Sequence, residues 1–248
     1  MARDLFSEQA KLYSLYRPVY PDSLFQYILS FVKEKEAAWD CATGNGQTAL
    51  PLAQQFKKVY ASDISQKQLD QAPVKKNIEY ILCVAEQTSF PENTFDLITV
   101  SQAYHWLDGH KFREEATRVG KKNCVVAVWM YDLIQSKESK LGDLIRHFYK
   151  NITGPFWDAE RRHVDTHYAN VLFDFAPLAG KEFFVETNLT REQLLGYFST
   201  WSATQNFIKA NGYPPVEHIK DDLIRLWPGE DAPPFYFPIV LKMGRVNK

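Results

Sequence analysis

The sequence is poor in features that mark disulfide-rich, membrane-spanning or nucleic-acid-binding proteins. Its three cysteines, Cys41, Cys83 and Cys124, form no CxxC pair, which excludes a disulfide framework or standard zinc cluster and favours a reducing cytoplasm. No apolar run approaches the roughly 18 residues of a membrane span, and the N-terminus is too polar for a signal peptide. With 29 basic and 30 acidic residues, the net charge is only -1, so we expect no nucleic-acid partner.

Hydrophobic patterning predicts an α/β fold. Short apolar strands that alternate with helical segments are typical of a parallel sheet with helices on both faces. Two later strands bring the predicted sheet to seven, doubly wound and mostly parallel. The seven predicted strands lie at 37–40, 58–61, 78–84, 95–101, 124–129, 181–187 and 236–243.

No repeat or low-complexity linker interrupts the chain, so we expect a single domain over residues 1–248. Within it, the pattern of elements separates four segments. These are an N-terminal helical lid at 1–36, a core at 37–131, an inserted helical or irregular cap at 132–180, and the late strands and helices at 181–248.

A glycine turn follows the first core strand in the stretch from Asp40 to Ala49. Glycine between a strand and a helix permits a tight turn and a close approach of ligand to backbone. Asp63 ends the next strand, where a carboxylate can bind both hydroxyls of an adenosine ribose. NAD and S-adenosylmethionine both contain that ribose, and Gly44-x-Gly46-x-x-Ala49 also fits the dinucleotide pattern, so both cofactors stay open at this point.

Asp40 favours the second of these cofactors. An acid beside a pyrophosphate would repel its two negative charges, whereas it would attract a sulfonium and an ammonium group. The alternative role for Asp40 is a structural one, with the carboxylate hydrogen-bonded to amides of the turn.

Taken in order, the motifs resemble those of class I S-adenosylmethionine-dependent methyltransferases, and among these the type 11 small-molecule group that includes trans-aconitate methyltransferase-like proteins. The chain departs from the family pattern at Ala42, where a glycine is usual, and at Val84, where an acid often meets the adenine. The matching motifs are Asp40-x-Ala42-x-Gly44-x-Gly46, Asp63, Ala85-Glu86, Phe90-Pro91, Phe95-Asp96, Gln102-Ala-Tyr-His105-Trp106, Arg17-Pro18-x-Tyr20-Pro21 and Leu195-x-Tyr197-x-x-Thr200-Trp201-Ser202.

This resemblance implies a Rossmann-like fold and a set of cofactor contacts. Asp63 would hold the ribose, Ile64 would lie against the adenine, and Ala85 and Glu86 would lie at its polar edge. Gln102 would border the sulfonium. The predicted cofactor-binding residues are Tyr13, Arg17, Asp40, Ala42, Gly44, Gly46, Asp63, Ile64, Ala85, Glu86 and Gln102.

The acceptor side is less constrained by the sequence. Methyl transfer from a sulfonium needs positioning and desolvation but no protein nucleophile, and it needs a base only when the acceptor is protonated. His105 is the candidate base, because its ordinary pKa suits proton transfer near neutral pH; its alternative role is packing. The predicted acceptor-binding residues are Tyr20, His105, Trp106, Trp129, Arg162 and Trp201, with Arg162 as a receptor for a carboxylate or, alternatively, as part of a solvated charge run.

The sequence therefore predicts a cytoplasmic, metal-independent S-adenosylmethionine-dependent methyltransferase that acts on a small molecule, with a carboxylate as one candidate acceptor. We expect a monomer or homodimer. An NAD-dependent oxidoreductase and a catalytically silent cofactor-binding protein of the same fold are the alternatives. Because 6 Trp, 13 Tyr and 17 Phe make up 15% of the chain, we also expect many of these rings to line one closed acceptor chamber over the cofactor.

Overall fold

A mixed sheet of nine strands forms the centre of the computed structural model, which describes residues 18–229 and 231–248. Strands β1 to β5 run in parallel in the order β3-β2-β1-β4-β5, and β9 pairs antiparallel with β5. The strands are β1 (Ala37–Cys41), β2 (Lys58–Asp63), β3 (Ile78–Leu82), β4 (Phe95–Ser101), β5 (Gly120–Tyr131), β6 (Gln135–Ser136), β7 (Ala176–Pro177), β8 (Phe183–Asn188) and β9 (Pro234–Arg245). Without the two-residue strands β6 and β7, the sheet has the seven strands that the sequence predicts.

Nine α-helices surround this sheet within the described ranges, and most are short. They are α1 (Asp22–Leu29), α2 (Ala49–Ala53), α3 (Gln66–Leu69), α4 (Gly109–Val119), α5 (Ser139–His147), α6 (Arg161–Asp165), α7 (Arg191–Ser199), α8 (Ser202–Asn211) and α9 (Lys220–Leu226). No helix in these ranges is long and apolar enough to cross a membrane.

The core lies on both faces of the sheet because the central strands are buried on both sides. Every residue of β4 from Phe95 to Val100 is buried, as is every residue of β5 from Cys124 to Tyr131. Alternate residues of β5 therefore contribute to different cores: Val125, Ala127 and Trp129 to one, and Val126 and Val128 to the other. This continuous apolar patterning is the usual signature of a covered parallel sheet.

The strict strand-helix alternation expected from the sequence is interrupted once. Residues 83–94 connect β3 to β4 without a helix. A salt bridge of 2.7 Å between Arg118 and Glu115 organises this connection, since Arg118 donates to the Phe90 carbonyl and Glu115 accepts the Thr88 amide. Side-chain contacts from α4 thus replace the intrahelical hydrogen bonds that a crossover helix would supply.

Strand β9 joins the cap to the sheet. One of its edges pairs with β5 and β6, and the other pairs with β7 and β8. The segment at 132–180 leaves β5 and contains α5, a π-helical turn at Phe148–Ile152, a 3-10 turn at Gly154–Phe156, and α6. These turns bring cap residues next to the carboxyl ends of β4 and β5.

Candidate active site

The turn after β1 adopts the conformation for which small residues are needed. Ala42, Gly44 and Gly46 have φ angles of 53°, 58° and 82°, in the left-handed region that favours glycine. A Cβ added to Gly44 would have its nearest neighbour 3.9 Å away, whereas one on Gly46 would lie 2.7 Å from the Tyr80 hydroxyl. The turn is therefore open to a ligand at Gly44 and closely packed at Gly46.

Asp63 fixes this turn from the neighbouring strand. Its two carboxylate oxygens accept the backbone amides of Gly44 at 2.8 Å and Ser65 at 2.9 Å. Ser65 in turn caps α3 by accepting the Gln68 amide. A carboxylate oxygen can accept more than one hydrogen bond, so this arrangement keeps acceptor capacity at the end of β2 for a pair of ribose hydroxyls.

Asp40 lies beneath the turn and not at its surface. Its side chain is fully buried and accepts hydrogen bonds from the hydroxyls of Thr43 and Thr99, the latter at 2.8 Å. Burial raises the pKa of Asp40 to about 7, against the effect of the two threonines, and Asp63 contributes further by repulsion. The direct contact with a cationic ligand that the sequence suggests is not made from this position, because the turn and the threonines cover the carboxylate.

The expected adenine side lies at the ends of β2 and β3. Ile64 is 38% exposed, as a residue that forms the wall of a ligand site should be, and Val84 is 43% exposed. Ala85 is buried in the core. Glu86 accepts the Asp108 backbone amide at 3.0 Å and so links this loop to the start of α4.

Gln102 is held rigidly at the carboxyl end of β4. Its φ is 54°, and its side-chain amide forms two hydrogen bonds with the backbone of Tyr131, one of 2.8 Å from the Tyr131 amide and one of 3.4 Å to its carbonyl. The side chain thus extends the hydrogen bonding between β4 and β5 by one step.

A cleft opens at this edge of the sheet between the core and the cap. Four of the predicted residues line it: Gln102, His105, Trp106 and Trp201. Among the described residues, the lining consists of Gln102, His105, Trp106, Tyr131, Asp132, Leu133, Trp157, Arg161, Tyr197, Trp201 and Ser202. We call this space the acceptor cleft.

The arginine that lines the cleft is Arg161, and Arg162, which we predicted, does not line its described part. Arg162 is exposed on α6, whereas the Arg161 guanidinium stacks over the ring of Trp157 at 4.7 Å and over that of Tyr149 at 5.3 Å. Neighbouring residues on a helix point in different directions, about 100° apart. The sequence gives no signal that separates the two arginines, because Trp157 precedes α6 and this helix has only five residues.

His105 occupies the position expected for it but not the expected protonation state. Its Nδ1 lies 2.9 Å from the Tyr168 hydroxyl. Burial lowers the pKa of His105 to about 3, and the nearby charges of Arg161 and His163 lower it further. A group with this pKa is a weak base near neutral pH, so the role of general base, which we predicted from the ordinary pKa, is not supported.

Tyr20 and Trp129 belong to the core and do not line the acceptor cleft. Their rings pack edge to face with centroids 5.5 Å apart, and Trp129 is fully buried. Trp129 lies on β5 with its ring against α1, where Phe25 also contacts it. Neither residue lines the described part of the acceptor cleft, because Tyr20 and α1 pack over the face of the sheet from which Trp129 projects. Their binding of the acceptor stays a prediction.

The aromatic residues form separate clusters and not one chamber. Trp106, Trp157, Tyr197 and Trp201 line the acceptor cleft, but Tyr104 and Phe175 lie in the core on the other face of the sheet. The sequence alone could not distinguish these groups, because Trp106 and Tyr104 follow the same strand, and Trp157 and Phe175 lie in the same cap segment.

Two predicted cofactor-binding residues, Tyr13 and Arg17, lie outside the described residues. Within the described ranges, no group of three or more His, Cys, Asp or Glu side chains is placed to hold a metal ion.

Comparison with known proteins agrees with this architecture. A family model described as a methyltransferase domain matches residues 39–128. A protein named as a methyltransferase from Dictyostelium discoideum is 32% identical over 232 residues, which cover 92% of this chain and 88% of that protein. The structure of a protein described as a type II methyltransferase from Anaeromyxobacter dehalogenans superposes with a TM-score of 0.85 at 30% identity, covering 93% of this chain and 98% of that one.

The residues present also fit the cofactor of such enzymes. The open space at Gly44, the carboxylate of Asp63 at the end of β2 and the exposed face of Ile64 would provide places for its methionine part, ribose and adenine, respectively. The alternative of a nicotinamide-dependent oxidoreductase is discarded because the matching family model and the similar proteins are methyltransferases. The chain belongs to the class I S-adenosylmethionine-dependent methyltransferases.

Proposed function

We propose that the acceptor of this methyltransferase is a small molecule that carries a carboxylate, held by Arg161 in the acceptor cleft. Arg161 carries the proposal, because it is a largely buried cation that faces a space beside the predicted cofactor site. Its side chain is 16% exposed. Arginine binds carboxylates with two parallel hydrogen bonds, which fix orientation as well as position.

The contacts of Arg161 fix its orientation and leave its outer edge available. Its Nε donates to the Tyr149 hydroxyl at 2.8 Å, and the stacked rings of Tyr149 and Trp157 hold the guanidinium plane. Asp165 lies 3.7 Å from Nε, too far for a hydrogen bond. Among the described residues, the two terminal nitrogens have no hydrogen-bond partner, and these are the atoms that would form the fork around a carboxylate.

Among the described residues that line the cleft, the one carboxylate is that of Asp132, and it already has partners within the protein. Asp132 accepts the Leu133 amide at 2.7 Å through one oxygen and lies 2.9 Å from His167 Nε2 through the other. Both of its carboxylate oxygens therefore have partners within the protein.

A carboxylate acceptor is also consistent with the weak basicity of His105. S-adenosylmethionine supplies, when bound, a methyl group on a positively charged sulfur. A carboxylate is ionised near neutral pH, so no side chain has to remove a proton from it. The protein contributes by orienting the anion with Arg161 and by excluding water with Trp106, Trp157 and Trp201, which is positioning and desolvation.

The experiment compares carboxylic acids with their amides as acceptors and measures formation of S-adenosylhomocysteine. We expect turnover of acids only. Arg161→Ala should raise KM for an accepted acid by about 10- to 100-fold, the loss of one charged hydrogen-bonding partner. Arg162→Ala is the matched control and should change KM by less than about twofold, as exposed substitutions usually do. Equal effects of the two substitutions, or equal turnover of acids and amides, would refute the proposal.

Three further parts of the proposal concern the whole protein. We propose a cytoplasmic monomer or homodimer with no nucleic-acid partner, in keeping with a net charge of -1. We also propose that the segment at 132–180 acts as a cap over the acceptor, while residues 37–131 bind the cofactor. Sedimentation velocity of the full chain would test the oligomeric state, and an assembly larger than a dimer would contradict it.

A further inference from the structure

Tyr168 is a cap residue with unusual geometry directly behind His105. It is fully buried, and both Tyr168 and the preceding His167 have left-handed backbone conformations, with φ of 56° and 52°. Such conformations cost of order 1–3 kcal/mol each in residues other than glycine and persist only where surrounding contacts impose them. Here the Tyr168 amide donates to the His163 carbonyl at 2.8 Å, and the Lys242 ammonium donates to the Tyr168 carbonyl.

The result of this strained turn is a buried hydrogen bond between the Tyr168 hydroxyl and His105 Nδ1 of 2.9 Å. Burial raises the pKa of the Tyr168 phenol, with the backbone amide of His105 opposing the rise, so the phenol keeps its proton. A buried phenol proton requires an acceptor. Among the described residues, the only acceptor within hydrogen-bonding distance of this hydroxyl is His105 Nδ1.

This requirement selects one tautomer of His105. If Nδ1 carried the proton and donated it to the phenol, the phenol proton would be left without an acceptor, at a cost of about 1–3 kcal/mol. If the phenol donates to Nδ1, both groups are satisfied and the ring proton resides on Nε2. Nε2 has no partner among the described residues, and His105 lines the acceptor cleft.

We propose that Tyr168 is a positioning residue that holds His105 in the neutral Nε2–H form, so that His105 offers the acceptor a hydrogen-bond donor and not a base. His105 and Arg161 would then both present hydrogen-bond donors to the methyl acceptor. This favours substrates whose oxygens accept hydrogen bonds. The inference rests on the proposed function only for the identity of the ligand in the cleft; the tautomer itself does not depend on it.

The tautomer can be measured directly. In the ¹⁵N-histidine-labelled full chain saturated with S-adenosylhomocysteine, long-range ¹H–¹⁵N correlation spectra distinguish a protonated from an unprotonated ring nitrogen. The His105 signals are assigned by their loss in His105→Asn. We expect a protonated Nε2 and an unprotonated Nδ1 from pH 6 to pH 8. The population of this tautomer should exceed that of the other neutral tautomer by a factor of about ten or more. A protonated Nδ1, or a doubly protonated ring at neutral pH, would overturn the inference.

The role of Tyr168 is tested with a matched pair of substitutions. Tyr168→Phe removes the hydroxyl and should give a mixture of His105 tautomers. Tyr104→Phe is the control, because the Tyr104 hydroxyl also donates within this region, to the Leu172 carbonyl, but not to His105. It should leave the His105 signals unchanged. An unchanged His105 tautomer in a folded Tyr168→Phe variant would refute the positioning role, and the wild-type spectrum decides the tautomer even if that variant does not fold.

A kinetic arm separates this inference from the proposed function. With an acid accepted by the wild type, Tyr168→Phe should raise KM about 3- to 10-fold with a smaller change in kcat, the effect of weakening one donor. In His105→Asn, adding Tyr168→Phe should cause no further rise, because the tyrosine acts through the histidine. Additive effects would contradict the inference. If no acid is turned over, the proposed function fails, but the spectra still decide the tautomer.

Discussion

Substitution of Asp40 by Asn should make the protein more stable at alkaline pH and remove part of its pH dependence. Asp40 is fully buried beneath the glycine turn, and its pKa is raised to about 7, mainly by burial. An asparagine at this position keeps the shape of the side chain. Its carbonyl oxygen can accept from one of the two threonine hydroxyls, Thr43 or Thr99, and its amide can donate to the other, because a hydroxyl both donates and accepts.

The magnitude follows from the difference between the folded pKa of Asp40 and its ordinary value of 3.8. Asp40 binds its proton more tightly in the folded state than in the unfolded state. Its protonation therefore contributes its full stabilisation below pH 3.8, and this contribution is lost as the pH rises through about 7. One pKa unit corresponds to about 1.4 kcal/mol. The cost of ionising Asp40 in the folded protein is therefore of order 4 kcal/mol above pH 7.

Urea unfolding between pH 5 and pH 8.5 measures this effect. The difference in free energy of unfolding between Asp40→Asn and the wild type should increase by up to about 1.4 kcal/mol per pH unit below pH 7. Above pH 7 this difference should level off. Asp70→Asn, a change at an exposed carboxylate, is the control and should run parallel to the wild type. If the Asp40→Asn and wild-type curves are also parallel, Asp40 is not a buried acid that ionises at a cost, and the reasoning is refuted.

Two further predictions concern the same turn. Asp63→Ala should weaken binding of S-adenosylhomocysteine by at least about tenfold in a calorimetric titration, since it removes a charged acceptor whose hydrogen bonds are worth about 1.5–3 kcal/mol each. Asp70→Ala is the control and should leave binding unchanged. Equal effects of the two substitutions would exclude the ribose role of Asp63. Ala42→Gly should raise the free energy of unfolding by about 0.5–1 kcal/mol, because Ala42 has a φ of 53°. Ala49→Gly, within a helix, should lower it by a similar amount, and a loss of stability in Ala42→Gly would contradict the expected strain.

The strands of the core were predictable because their patterning leaves little choice. The run Phe95–Ser101 is predicted and observed with the same bounds, since a short continuous apolar stretch between turn residues fits only a covered strand in this context. The positions of Gly44 and Gly46 at the ligand-binding edge were predictable for a similar reason, because the left-handed backbone there excludes most other residues.

The acceptor cleft was predictable only in part, since it depends on directions and distant contacts. Whether Arg161 or Arg162 faces the cleft depends on the rotation of a five-residue helix, which no periodicity fixes. The contact between His105 and Tyr168, on which the proposed tautomer of the histidine depends, joins residues 63 positions apart. Trp129 lies outside the described part of the cleft because α1 packs against its ring, a tertiary contact that the apolar run of β5 does not reveal.

The pairing of β9 with β5 has a consequence for how this protein folds during synthesis. The edge of β5 is completed only by residues more than a hundred positions later in the chain, since Tyr131 pairs with Ile239. At ribosomal rates, that edge is left without its partner for roughly 5 to 20 seconds. It presents a long buried strand with open hydrogen-bonding groups, the kind of surface that pairs with other chains. We therefore expect the nascent chain to depend on chaperones during this interval, and to aggregate most readily when synthesis stops between β5 and β9.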